Sequence, residues 1–397
     1  MKQLRKTNTN ILLAITCFLV LVSGMYILFL GQCMEVLEVA DSSSDMLAYL
    51  LTIQGVESGY SFPYPIMFLI AKVFYAFTPV EVALSFTVAL LNGATFLLIY
   101  YYMNQYVPNT KHAWGKVFLS CLVLFYAMLF IPQHALPGVP FRYVGVFSPN
   151  PFHNATYLAA RPFSVLSFFT FVALYEDYKE RFDLKKGCAF AISLLLSTMT
   201  KPSFTIVFCG AVGLRLLFDL CKSRFCIWKR SFFVGAMFIP TFLDLLYQYS
   251  GVFTGIDSTG EEAGIGIGFL TAWGEICTNV PLAIILPIAF PIVVLLFHAT
   301  DIKSNKLYRL AWEVYGMGLL MFMVLYEKGF RIYHMNFSWG YMIGMFLLVV
   351  VSVMLLLKDT YQHKIGIRLL IQWGIFMLHL ACGILYFISI LRGESYY

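Results

Sequence analysis

The sequence predicts an all-α integral membrane protein with about eleven transmembrane helices. Three observations lead there. Of its 397 residues 60% are hydrophobic and only 12% charged, about half the charged fraction of a soluble domain. The mean hydropathy is +0.78. Apolar runs long enough to cross a bilayer recur from Ile11 onward, and no polar stretch between them could form a separate soluble domain, so one membrane domain over residues 1–397 is expected. The net charge of +6 sits in short loops, where Lys and Arg set topology. No nucleic-acid partner is expected.

Taken in order, the spans are predicted near residues 11–31, 80–102, 117–132, 157–175, 187–200, 203–220, 232–250, 280–298, 310–325, 339–357 and 369–390. The first follows KQLRK at residues 2–6 and lacks an A-x-A site, so it reads as an uncleaved span rather than a leader. Residues 187–220 are apolar apart from Lys201 and Arg215, too long for one crossing. A tight turn at Thr200-Lys201-Pro202 makes two crossings, with Pro202 opening the second helix. The N-terminus and the loops 103–116, 176–186, 221–230, 300–309 and 358–368 then share one side and hold 19 of the 27 Lys and Arg residues. The positive-inside rule makes that side cytoplasmic, with the N-terminus inside and the C-terminus outside. Residues 64–77 are apolar but short and bounded by Pro63, Pro65 and Pro79. They suit a helix lying in the outer interface, within a first outer loop of residues 32–79. The nine cysteines form no C-x-x-C pair, and most fall within spans, where the thiol acts as a small apolar group.

That first loop carries Glu35, Glu38, Asp41, Asp45 and Glu57. Asp41 and Asp45 are the candidates for a general base, a role that needs a carboxylate within hydrogen-bond reach of a hydroxyl. Asp45 and Tyr49 are four residues apart and share a helix face. Asp41 is as well suited to capping that helix, and Glu35 and Glu38 read as interfacial charges. The cations on the outer side are Lys72, Arg142, Arg161, Lys201, Lys328, Arg331 and Arg392. Arg161 lies inside a span next to Pro162, and Lys201 closes a short one; such cations face a cavity or snorkel to the interface. Beside a cavity they suit a phosphate. The Gly-rich residues 251–268 lack the strand–loop–helix setting of a phosphate loop and read as a lid or a connector. His134, His153 and His334 show no metal-site spacing, so no cofactor is expected.

An outer Asp-bearing loop followed by SFPYPIMFLIAKVF at residues 61–74 resembles the membrane glycosyltransferases of the GT-C fold class. HNATYLAARPF at residues 153–163, STMTKPSF at 197–204 and GFRIYHMNFSWGY at 329–341 resemble bacterial membrane proteins related to that class. The resemblance implies transfer of a sugar from a polyprenyl-phosphate carrier on the outer face, with that lipid-linked donor and membrane lipids as partners. It implies an Asp in the first loop as base, for which Asp45 in D-x-x-x-Y matches best and Asp41 second. Arg161, Lys201 and Arg331 would take the carrier phosphate, and His153, His334 and Tyr49 complete the residues expected to bind substrate. The chain departs from the class in spacing its two acids three serines apart. Two other readings stay open: a transporter or lipid flippase, for which Asp244 and Glu313 would be the ionisable span residues, and a non-catalytic membrane protein of envelope polysaccharide assembly.

Overall fold

The computed structural model describes residues 2–38, 45–57, 61–108, 113–130, 144–252, 264–277, 279–364 and 366–393. Among them eight helices are long and apolar enough to cross a membrane, or nine if one bent pair counts as a single span. The protein is thus an all-α membrane protein, but the predicted eleven spans are too many. Two of the predicted segments fall short, each for a local reason.

Helix α1 (Lys2–Glu38) packs along α4 (Val80–Tyr106), close enough that a Cβ at Gly93 would strike Phe18 and Val22. Between them α2 (Met46–Gln54) is stopped by Gly55, whose φ of +77° only glycine adopts freely and whose N–H closes onto the carbonyls of Leu51 and Thr52. Helix α3 (Ile66–Tyr75) buries Met67, Phe68 and Ala71 and exposes Leu69, Val73 and Phe77 nearby. Its 10 residues reach about 15 Å, half a hydrocarbon core.

The first shortfall is at residues 117–132. Helix α5 (Ala113–Leu122) gives way to one 3-10 turn at Val123–Phe125, and the chain then runs extended through residues 126–130. Tyr126, Ala127 and Met128 are nonetheless buried, so their backbone groups need partners from elsewhere. Asn150 Nδ2 donates to the Tyr126 carbonyl at 2.7 Å, and Ser148 Oγ accepts from Met128 N at 3.0 Å. The Leu129 amide donates to the Leu286 carbonyl. The second shortfall is α8 (Leu184–Thr200), 17 residues opened by Asp183, whose carboxylate accepts from the amides of Lys185 and Lys186. The two lysines charge its first turn. The predicted hairpin is present: α8 turns at Lys201 and Pro202 into α9 (Ser203–Lys222).

Helices α6 (Val144–Phe147) and α7 (Ala155–Asp177) precede that hairpin, and α10 (Trp228–Ala236) with α11 (Ile239–Val252) follow it as the pair bent by 44°. Strand β1 (Ile265–Ile267) pairs antiparallel with β2 (Leu325–Glu327), and α12 (Thr271–Ile276) tucks the buried Trp273 ring against Phe147 and Phe322. Helix α13 (Val280–Phe297) contains Pro287 and Pro291 and leaves helical geometry at Ile288, as a missing N–H and a ring clash require. His379 of α17 (Ile367–Leu391) bridges this kink to the extended segment: its Nδ1–H donates to the Ala127 carbonyl at 2.7 Å and its Nε2 accepts from the Phe290 amide at 3.3 Å.

After α14 (Asp301–Ser304) and α15 (Lys306–Val324) comes α16 (Asn336–Gln362), the central strut, buried continuously from Ser338 to Leu357. A helix apolar on all sides belongs in a core. It meets α15 at a close crossing, where Gly318 faces the Tyr341 backbone and Gly344 the Tyr315 backbone. At one end of the bundle, ion pairs tie the helices: Asp219 accepts from Tyr175, Tyr178 and Lys179, and Arg215 holds Glu313. The other end carries Asp45 of the first loop.

Candidate functional site

At that other end, side chains from four chain segments meet: the start of α2, the start of α7, the α8–α9 turn and the start of α16. Asn154 sets the geometry. Its side chain caps α7 by accepting from the Tyr157 amide at 2.9 Å, a common role for Asn at a helix start. The same Oδ1 accepts from Thr156 Oγ1 at 3.0 Å and from Lys201 Nζ at 3.3 Å. Lys201 Nζ also donates to Thr156 Oγ1 at 2.8 Å and sits 4.8 Å from the Trp339 ring centroid, a cation–π contact.

Lys201 is only 8% exposed, and no carboxylate among the described residues lies within ion-pair range of it. Burial without a counter-ion pushes its ammonium down to about 8, partly offset by the field of Asp45. Asp45 is the last residue before α2 and faces solvent. The expected i, i+4 pairing holds: the Tyr49 hydroxyl donates to Asp45 Oδ2 at 3.2 Å and lies 3.4 Å from Thr156 Oγ1. Tyr49 is buried against Phe62 and Phe68, and burial together with Asp45 keeps its hydroxyl protonated well above the ordinary range.

His153 stands beside this group, with Nδ1 3.3 Å from the Tyr386 hydroxyl and its ring 5.9 Å from Trp339. Burial and the Lys201 charge push it down to about 3, so the imidazole is neutral. Opposite, Arg331 holds Glu327 in a two-pronged pair at 3.0 and 3.2 Å, and Asn336 Nδ2 donates to the same carboxylate at 2.7 Å. Asp45, Arg331 and Glu327 all lie near enough to act through space on the half-buried Tyr64 and on His334. Arg331 therefore enters the site with its charge already matched by Glu327.

Arg161 lies elsewhere. It is fully buried in α7, donating to Asn92 and Asn150 and lying 5.0 Å from the Phe346 ring, with its Nε lacking a hydrogen-bond partner. Asn150 is also the residue that holds the extended segment, so Arg161 braces the core some two turns below Asn154. Asp41 lies outside the described residues, as do His134 and Arg142; the helix that Asp41 was expected to cap begins instead directly after Asp45, with no side-chain cap bond.

The structure thus joins Asp45, Tyr49, Lys201 and His153, sets Arg331 and His334 across from them, and separates Arg161. It adds Asn154, Thr156, Trp339, Tyr64 and Glu327. Asn154-Ala-Thr156 reads by pattern as a glycosylation sequon, yet an Asn directly before a long apolar helix is also a cap signal, and here that signal marks the site. An exposed carboxylate and a buried ammonium without a carboxylate partner, linked through Tyr49 and Thr156, can respectively accept a proton and hold an anion. No family model, curated protein or solved structure matches the chain.

Proposed function

We propose that the protein is a membrane glycosyltransferase of GT-C type, moving a sugar from a polyprenyl-phosphate carrier to a cell-envelope acceptor on the extracytoplasmic face. The observation that carries this reading is Lys201: a buried cation with no carboxylate partner, sharing a cleft with solvent-facing Asp45. A buried charge without a counter-ion is costly unless an anion completes it, and a carrier phosphate at the membrane surface supplies one. The positive-inside rule supports an extracytoplasmic placing, because the basic residues Lys179, Lys186, Arg230 and Lys306 gather at the opposite end of the bundle.

In this mechanism Asp45 takes the proton of an acceptor hydroxyl as that oxygen attacks the anomeric carbon. Lys201 stabilises the negative charge that gathers on the departing phosphate. Asn154 and Thr156 fix the ammonium, and Tyr49 orients the carboxylate. The test is transfer of labelled sugar from a polyprenyl-phosphate-linked donor in proteoliposomes. Asp45→Asn keeps the shape and should lower the rate by about 100-fold or more. Full transfer by Asp45→Asn would sink the assignment.

A further inference from the structure

Between Asp45 and Lys201 runs an unbroken line of hydrogen-bonding groups. Lys201 Nζ donates to Thr156 Oγ1 at 2.8 Å, that oxygen is 3.4 Å from the Tyr49 hydroxyl, and the Tyr49 hydroxyl donates to Asp45 Oδ2 at 3.2 Å. Both middle groups are hydroxyls, each able to donate and accept at once. Both are buried: Thr156 is 0% and Tyr49 2% exposed. The ends differ in degree, since Asp45 is exposed and Lys201 only 8% exposed. At rest Thr156 donates to Asn154 Oδ1. Turning its O–H toward the Lys201 amine, as the return step requires, leaves that oxygen still satisfied by the Tyr157 amide.

We infer that Tyr49 and Thr156 form a proton-return path from Asp45 to Lys201, resetting acid and base after each sugar transfer. The inference rests on the transferase reading above, in which these two ends have opposite tasks. In the transfer step the acceptor O–H bond breaks, its electron pair forms the new bond to the anomeric carbon, and its proton goes to Asp45. The bond from the anomeric carbon to the carrier oxygen breaks, and that pair stays on the phosphate. Lys201 then gives one proton to the phosphate and becomes an amine. One concerted shift restores both ends: Asp45 returns its proton to Tyr49, Tyr49 passes its own to Thr156, and Thr156 passes its own to Lys201. The acceptor's proton has left on the phosphate, and nothing is oxidised or reduced. Burial helps the acid step, because Lys201 at about 8 lies within about two pKa units of a phosphate monoester. The other groups facing the line are His153 and Trp339 around Lys201, and Tyr64, His334 and the Glu327–Arg331 pair around Asp45.

The test uses the full chain in nanodiscs with 15N-labelled lysine, following exchange of the Lys201 Nζ protons with heavy water; no substrate is needed. Thr156→Val and Tyr49→Phe should each slow that exchange by about tenfold or more, and Thr156→Ser should restore it, since only the hydroxyl is needed. Exchange at the wild-type rate in either interrupted variant overturns the path, and Tyr49→Phe decides the matter if Thr156→Val fails to fold. Transfer from the labelled polyprenyl-phosphate donor gives the second readout. Multiple-turnover rates should fall further than the first-turnover rate in both variants, and Thr156→Ser should behave as wild type. Absence of transfer by the wild-type protein would overturn the enzyme reading alone, because the exchange result still decides whether the path exists.

Discussion

Burial holds the Lys201 ammonium at about 8 against its ordinary value of 10.5, and the sign of the resulting pH dependence follows from proton counting. Between those two values the folded protein binds fewer protons than the unfolded chain, so this residue makes stability rise with pH through that window and is a burden below it. Under the proposed mechanism activity would run the other way, since phosphate binding and proton donation would both need the ammonium. The transfer rate should therefore decline as pH rises through about 8. Lys201→Met should abolish transfer while removing the residue's share of the stability rise, which melting curves from pH 7 to 10 on both proteins would show. The Asp45–Tyr49 contact was legible in the sequence because four-residue spacing fixes a shared helix face. The Lys201–Thr156–Asn154 contacts were not, because they join segments some 45 residues apart through a turn whose position only packing decides. Arg161 was readable as a buried cation, but its two asparagine partners, Asn92 and Asn150, come from separate elements with no spacing to link them.

At the level of elements, hydropathy located the long helices well and misjudged residues 117–132. An apolar run says that a segment is buried; it does not say where its backbone hydrogen bonds go. Here they go to Asn150, Ser148, Leu286 and His379, polar and main-chain groups far away in the sequence. The arrangement depends on Gly383 of α17, where a Cβ would overlap the Phe125 carbonyl. Gly383→Ala should cost about 1–3 kcal/mol, seen as a lower melting temperature in detergent. Gly374→Ala on the same helix, where a Cβ meets open space, should leave the melting temperature nearly unchanged.

Over the whole molecule, the chemistry and the bracing lie at opposite ends. Arg215 of α9 grips Glu313 of α15, with Arg309 beside it, and the pair is mostly sheltered from solvent. Glu313→Gln leaves the guanidinium with a weaker partner and should lower stability by about 1–3 kcal/mol, less than for a fully buried pair. The rate of sugar transfer at low temperature should stay as in the wild type, because nothing in the cleft touches α9 at that depth. Loss of transfer with unchanged melting would place function at the wrong end.

The contact between His379 and Ala127 spans 252 residues, and it dictates an order of events during synthesis. Residues 126–130 emerge early, yet the groups that satisfy their backbone include α13 and α17, the latter made some 252 residues after Ala127. Left in lipid they would carry unpaired amides and carbonyls. The nascent chain must therefore keep this segment in a hydrated or protein-lined setting until α17 has been made, and only its insertion lets this part of the bundle close.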